Sequence, residues 1–245
     1  MAKKTADRDR RAKIAEMQRQ AKAAERRRTL LIIGTAVAVV AIIAGSVAFA
    51  ILRDPTRPPS GDLSTLGVAA SAASCDPATN DKASGSSVHV GPGTEQPNVT
   101  KVKYSTVPPT SGEHFGSPQY PSRSFYTAKD RPAMETLVHN LEHGYTILWY
   151  DATATDKQQA TLNSVADKAR ASDATAQKFI VSAWDASYGA FPAGKHFALS
   201  HWAADPQDTS KQTGHRQLCG DISGDVVQKF IEQFPHTMAP EPNAQ

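Results

Sequence analysis

Residues 137–144 read Leu-Val-His-Asn-Leu-Glu-His-Gly. An i,i+4 histidine pair shares one face of a helix, so His139 and His143 can grip a single metal ion at little entropic cost. Imidazole is the commonest side-chain ligand of zinc and also suits copper, iron and nickel. Glu142 lies near the edge of the same face, as a ligand, a base, or a second-shell carboxylate that takes the other N–H of a ligating ring. The order H-x-x-E-H is also the zinc signature of inverzincin metalloproteases, where a glutamate works on a zinc-bound water. The spacing therefore poses three readings: a metal site, a metal-dependent hydrolase, or a non-catalytic envelope module whose histidines only build a core and whose surface docks a membrane partner.

The elements that must position these residues follow from periodicity and punctuation. A helix is expected from about Arg131, with Pro132 in its first turn, a buried stripe of Met134, Leu137, Val138 and Leu141, and Gly144 as its stop. Strands are expected at Val102–Tyr104, Tyr145–Tyr150, Phe179–Trp184 and His196–Ala203, with helices at Thr155–Ala171 and about Gly224–Phe234. The order β-α-β-α-β-β-α predicts an α+β domain over residues 88–236, with a mixed sheet and about three helices, and a thioredoxin-like order satisfies it. Residues 105–130 read as a long ordered loop in which Pro108-Pro109 stiffens the chain and Ser111-Gly112 lets the backbone approach closely beside His114.

The residues lean against an enzyme. The helix expected after the Tyr145–Tyr150 strand supplies no third metal ligand, because Asp156, Asp167 and Asp173 read as surface carboxylates. Ser111 has no nucleophile elbow around it. His201, two residues on from Leu199 and four from Phe197, shares their strand face and reads as a core or edge histidine.

Outside this domain the chain changes character. Residues 1–28 carry eleven Lys/Arg against four Asp/Glu, near +7, whereas the whole chain is +3 and the remainder therefore near −4. The basic balance is confined to a tail (residues 1–29), which gives no support to a nucleic-acid-binding domain. Leu30 to Leu52 is almost purely apolar, and its 23 residues span about 34 Å as a helix, enough for a hydrocarbon core of about 30 Å. The cationic flank predicts a cytoplasmic N-terminus and an extracytoplasmic C-terminal part at the plasma membrane, with the lipid bilayer, and an unspecified membrane protein, as partners. A cleaved signal peptide is the rival reading, since Ala48-Phe49-Ala50 resembles a cleavage site, but the apolar run exceeds the usual signal core of about 7–15 residues.

Residues 53–87 are rich in Pro, Ser, Gly and Ala and read as a flexible linker, and residues 237–245 as a flexible tail. Cys75 and Cys219, the only cysteines, both fall on the expected outer side, where one structural disulfide is the simplest outcome. Closing a loop of about 145 residues is worth roughly 5 kcal/mol on the chain-entropy account.

Two motifs carry a family resemblance. Tyr104…Pro108-Pro109-Thr110-Ser111-Gly112…His114 and Val138-His139-Asn140-Leu141-Glu142-His143-Gly144 resemble the bacterial family called domain of unknown function 3105, over roughly residues 85–235. The basic tail, single anchor and outer domain are similar to its actinobacterial members. In the family a histidine tends to precede the Tyr104 region, and His89 stands at that place. The resemblance implies no activity, but it adds His114 and His89 to His139 and His143 as candidate ligands of a zinc or copper ion, with Glu142 behind them. It assigns nothing to His196, His201, His215 or His236.

Overall fold

The structure is a computed structural model that describes residues 63–172 and 177–245, together with Arg19. The expected cytoplasmic tail, the membrane span over residues 30–52 and the start of the linker lie outside the described residues. Among the described residues no helix is long and apolar enough to cross a membrane.

Residues 63–245 form an α+β fold with a six-stranded mixed sheet and three α-helices among the described residues. The sheet elements are β1 (Thr79–Lys82), β4 (Phe125–Tyr126), β5 (Thr146–Tyr150), β6 (Phe179–Ala183), β7 (Phe197–Asp205) and β8 (Asp208–Cys219). A separate two-stranded pair joins β2 (His89–Val90) and β3 (His114–Phe115). The helices are α1 (Met134–Glu142), α2 (Asp156–Ser172) and α3 (Gly224–Gln233). The large sheet runs β1-β8-β7-β5-β6-β4, with β6 parallel to both β5 and β4, and β5, β7, β8 and β1 joined by antiparallel pairings.

The sheet is covered on both faces, which is why β5 and β6 are apolar throughout rather than alternating. Ile147 and Trp149 face α1, packing with Leu137, Val138, Leu141, Ile180 and Trp202. Leu148 and Tyr150 face the opposite way, toward Leu162 and Val165 of α2 and Val227 and Phe230 of α3. The period-two alternation of the strands thus splits the core into two halves. The helix α1 ends as its sequence requires: Gly144 adopts a left-handed φ of 90°, and a Cβ there would meet the His236 carbonyl oxygen at 2.7 Å.

Four expectations are corrected. Val102–Tyr104 is not a strand; the Val102 N–H donates instead to the buried Glu135 carboxylate at 2.8 Å, so a side chain takes the place of a neighbouring strand. The longest strand, β8, falls where no strand was expected, because only its last two residues, Leu218 and Cys219, form an apolar run. The flexible linker does not extend to residue 87. Leu63 is fully buried in the core, β1 pairs antiparallel with β8, and Cys75 is disulfide-bonded to Cys219 across 144 residues of sequence. The C-terminal residues are not a loose tail either. Lys178 Nζ donates to the carbonyls of His143 (2.6 Å), Pro242 (2.7 Å) and Ala244 (2.8 Å), and Glu241 N–H donates to Glu142 O at 3.0 Å. Backbone carbonyls do this anchoring, so polar side chains gave no sign of it.

Candidate metal centre

Three stretches of chain meet at the carbonyl end of α1. In the β2–β3 pair His89 lies directly opposite His114, and α1 presents His139 and Glu142 to the same place. One ligand atom from each of His89, His114, His139 and Glu142 lies within 4.8 Å of the other three, a group that can hold a metal ion. His114, His139 and Glu142 are buried, whereas His89 is exposed and closes the group on its solvent side. The imidazoles lie close together, with ring centroids 4.6 Å apart for His114 and His139 and 5.0 Å for His89 with either. The partial negative charge at the end of α1 adds to the attraction for a cation.

The hydrogen bonds fix which nitrogens are free. A backbone carbonyl only accepts, so His114 Nδ1, 2.8 Å from Gly112 O, and His139 Nδ1, 2.6 Å from Phe115 O, must carry hydrogens. His143 Nδ1 is likewise bound to Gln245 O. In each neutral ring Nε2 is then a bare lone pair. His139 Nε2 and His143 Nε2 face one another at 3.0 Å. His114 Nε2 stands 3.0 Å from Glu142 Oε2, although neither atom has hydrogen-bond geometry to any partner. Distance alone would make this an ion pair, but the angles do not support a shared hydrogen. Two acceptors this close repel unless a cation lies between them: a proton on Nε2 makes the contact an imidazolium–carboxylate pair, and a metal ion takes the proton's place. Adjacent ligands of a tetrahedral zinc, with bonds of about 2.0–2.1 Å, stand roughly 3.3 Å apart.

The electrostatics favour the ligand forms. Burial pushes the His139 imidazole down to about 4; the Phe115 carbonyl opposes this, and the rings of His114, His143 and His89 add to it. Burial alone would raise Glu142, yet its contact with His114 and donors from Ser87 and Ser86 outweigh that and hold the carboxyl near about 2. At neutral pH the pair is an unprotonated imidazole and a carboxylate, as metal binding requires. The carboxylate is aimed by its other oxygen: Glu142 Oε1 accepts from Ser86 Oγ at 2.8 Å and Ser87 N–H at 2.7 Å. Ser86 Oγ is in turn held by Gln212 Nε2 (2.9 Å), whose carbonyl accepts from Trp202 Nε1 (2.9 Å).

The glycine of Ser111-Gly112 has a direct structural reason. Gly112 has φ 146°, a Cβ there would strike the Tyr104 ring at 2.7 Å, and its carbonyl orients His114. Of the expected ligands, His89, His114 and His139 come together. His143 touches the group through His139, and its Nε2 also lies 3.4 Å from Glu241 Oε2. Ser86, Ser87, Gln212 and Glu241 were not anticipated; the first two lay in the supposed linker and the last in the supposed tail. His196 pairs with Asp151 away from the centre (2.9 Å), and His201 and His215 lie on the other face of the sheet.

The family model described as "Protein of unknown function (DUF3105)" matches residues 95–245. The chain belongs to this family. The matched region includes His114, His139, Glu142, His143 and Glu241, while His89, Ser86 and Ser87 precede it. No curated protein and no solved structure matches the chain.

Proposed function

We propose that this DUF3105 protein is a membrane-tethered, extracytoplasmic metal-binding protein that holds one zinc or copper(II) ion through His89 Nε2 or Nδ1, His114 Nε2, His139 Nε2 and Glu142 Oε2. One observation carries the reading: carbonyls hold the Nδ1 atoms of His114 and His139, so Nε2 is the atom each ring has left to offer a cation, in a buried group with a carboxylate. A nitrogen-and-oxygen donor set without sulfur suits zinc or copper(II) better than copper(I). Four protein ligands would close a tetrahedral sphere, which favours a binding role over hydrolysis. Glu142, with one oxygen hydrogen-bonded to Ser86 and Ser87 and the other in the donor group, is poorly placed to act as a free base.

The placement outside the membrane rests on the apolar run of residues 30–52 after a cationic tail, and on the Cys75–Cys219 disulfide, which an oxidising compartment sustains. The run β8-β7-β5-β6, with β5 and β6 parallel across α2, supports a thioredoxin-like reading of the sheet, although no C-x-x-C motif accompanies it.

The test is elemental analysis of the full chain purified without a histidine tag, followed by calorimetric titration with Zn²⁺ and Cu²⁺. About one ion per chain is expected; the absence of both bound metal and titratable binding would refute the reading.

A further inference from the structure

The described centre leaves His143 and Glu241 unused, and they are built as though for a cation. His143 Nε2 lies 3.0 Å from His139 Nε2 and 3.4 Å from Glu241 Oε2. The His143 side chain is 9% exposed, whereas that of Glu241 is 45% exposed, so the pair leads from solvent to the buried His139. The segment bearing Glu241 is fixed in place: its N–H is bound to Glu142 O, and Lys178 ties down Pro242 and Ala244 on the same side of α1.

Chemistry limits how these groups share an ion. His139 has its Nδ1 committed to Phe115 O, so only Nε2 can bind metal, and that lone pair serves one ion at a time. His139 therefore belongs either to the inner set with His89, His114 and Glu142 or to an outer set with His143 and Glu241, but not to both with two ions present. Resting on the metal-binding reading above, we infer that His139, His143 and Glu241 form an outer acquisition position from which a divalent ion passes to the inner site. In the transfer the bonds from the ion to His143 Nε2 and Glu241 Oε2 break as those to His114 Nε2, Glu142 Oε2 and a ring nitrogen of His89 form. His139 Nε2 stays bound throughout. Each Nδ1 stays on its carbonyl, so the same Nε2 atoms serve in both positions, and one carboxylate replaces another.

The position makes a kinetic claim that differs from a second storage site. Uptake of Zn²⁺ by the full chain, followed by stopped flow against a chromophoric chelator, should slow by about tenfold in both His143→Ala and Glu241→Gln, with release slowed by the same factor and Kd changed by less than about threefold. The Glu241→Gln variant keeps the size of the side chain while removing its charge, so it reads the effect even if His143→Ala perturbs the end of α1. Stoichiometry stays at one ion per chain. A Kd weakened by more than about tenfold with uptake unchanged would make His143 a permanent ligand and overturn the inference. Unchanged uptake and release in both variants would also overturn it, placing access at the exposed His89 instead. Binding of two ions at once overturns it as well. A wild-type chain that takes up no ion overturns the underlying metal-binding reading, whereas the other failures leave that reading standing.

Discussion

The two faces of the central sheet each bury histidines, and they treat them in opposite ways. On the α1 face His114 and His139 have their Nδ1 atoms tied to carbonyls, with Nε2 of His114 beside the Glu142 carboxylate and Nε2 of His139 beside that of His143. On the α3 face His201 and His215 sit opposite one another on β7 and β8, and each keeps a buried ring nitrogen without a hydrogen-bond partner. His201 Nδ1 has Thr146 Oγ1 at 3.3 Å, and His215 stacks on Phe234 with centroids 3.8 Å apart. Burial is common to both regions and so does not mark a metal site. What distinguishes the first is a backbone that fixes the tautomer and an anion that answers the lone pairs.

The sharpest way to break this contrast is to remove one histidine from each face. His114→Ala or His139→Ala is expected to take metal content from about one ion per chain to near zero by elemental analysis. His201→Ala should leave the ion in place while costing about 2–4 kcal/mol of stability through the cavity it opens, read as a shift in the urea midpoint. Loss of metal in the His201 variant, at a temperature where it remains folded, would erase the distinction.

A second effect follows from linkage. An ion that binds the folded chain alone, supplied at about 100 times its Kd, adds roughly 2.7 kcal/mol, which raises Tm by about 5–11 °C for a domain of this size. The His139→Ala variant should show none of that shift, and the His201→Ala variant all of it, in scanning calorimetry with and without Zn²⁺.

The expectations that held and those that failed divide along the same physical line. The helix α1 was legible because Met134, Leu137, Val138 and Leu141 recur at helical spacing and Gly144 must turn left-handed. The strands β5, β6 and β7 were legible as apolar runs. The strand β8 was not, since Thr209, Ser210, Lys211, Gln212 and Thr213 carry no hydrophobic pattern; Gln212 and Thr213 are held by pairing with β7 and, at Thr213, also with β1. The histidines of the centre could be picked out by type and spacing. The carbonyls of Gly112 and Phe115 that make them ligands could not, because every residue has a carbonyl and only the fold says where it points. Ser86 and Ser87 were hidden for a related reason: small polar residues read as linker until Glu142 is seen to need donors.

The α3 face also predicts a pH dependence. Burial, reinforced by His215 and His236 and opposed by the Tyr145 backbone, pushes His201 down to about 3, and burial lowers His215 as well. The unfolded chain, with an ordinary histidine pKa of about 6.5, binds protons that the folded chain refuses between those values. Stability is therefore full above about pH 6.5 and falls as the pH drops toward about 3, by up to about 1.4 kcal/mol per pH unit for each such histidine. In chelator-treated protein the urea midpoint should follow this slope, to which His139 and His215 add, and His201→Asn should make it shallower. An unchanged slope in the variant would mean that His201 does not carry the proton linkage.

The smallest expected effect separates aiming from holding. Ser86→Ala removes one donor to Glu142 Oε1 and leaves the other, Ser87 N–H, in place, while Gln212 keeps its bonds to Thr209 and Trp202. Loss of such a supporting contact costs about 10–100-fold in metal affinity, and the surviving donor puts this case at the lower end, about tenfold. Thr146→Val is the matched change on the other face, since it deletes the hydroxyl beside His201 Nδ1. It should leave Zn²⁺ affinity within about twofold of wild type while changing stability modestly. Calorimetric titration of the two variants side by side decides the matter. Equal losses would mean that any disturbance of the buried sheet loosens the ion, whereas a loss confined to Ser86→Ala means that Glu142 must be aimed as well as present.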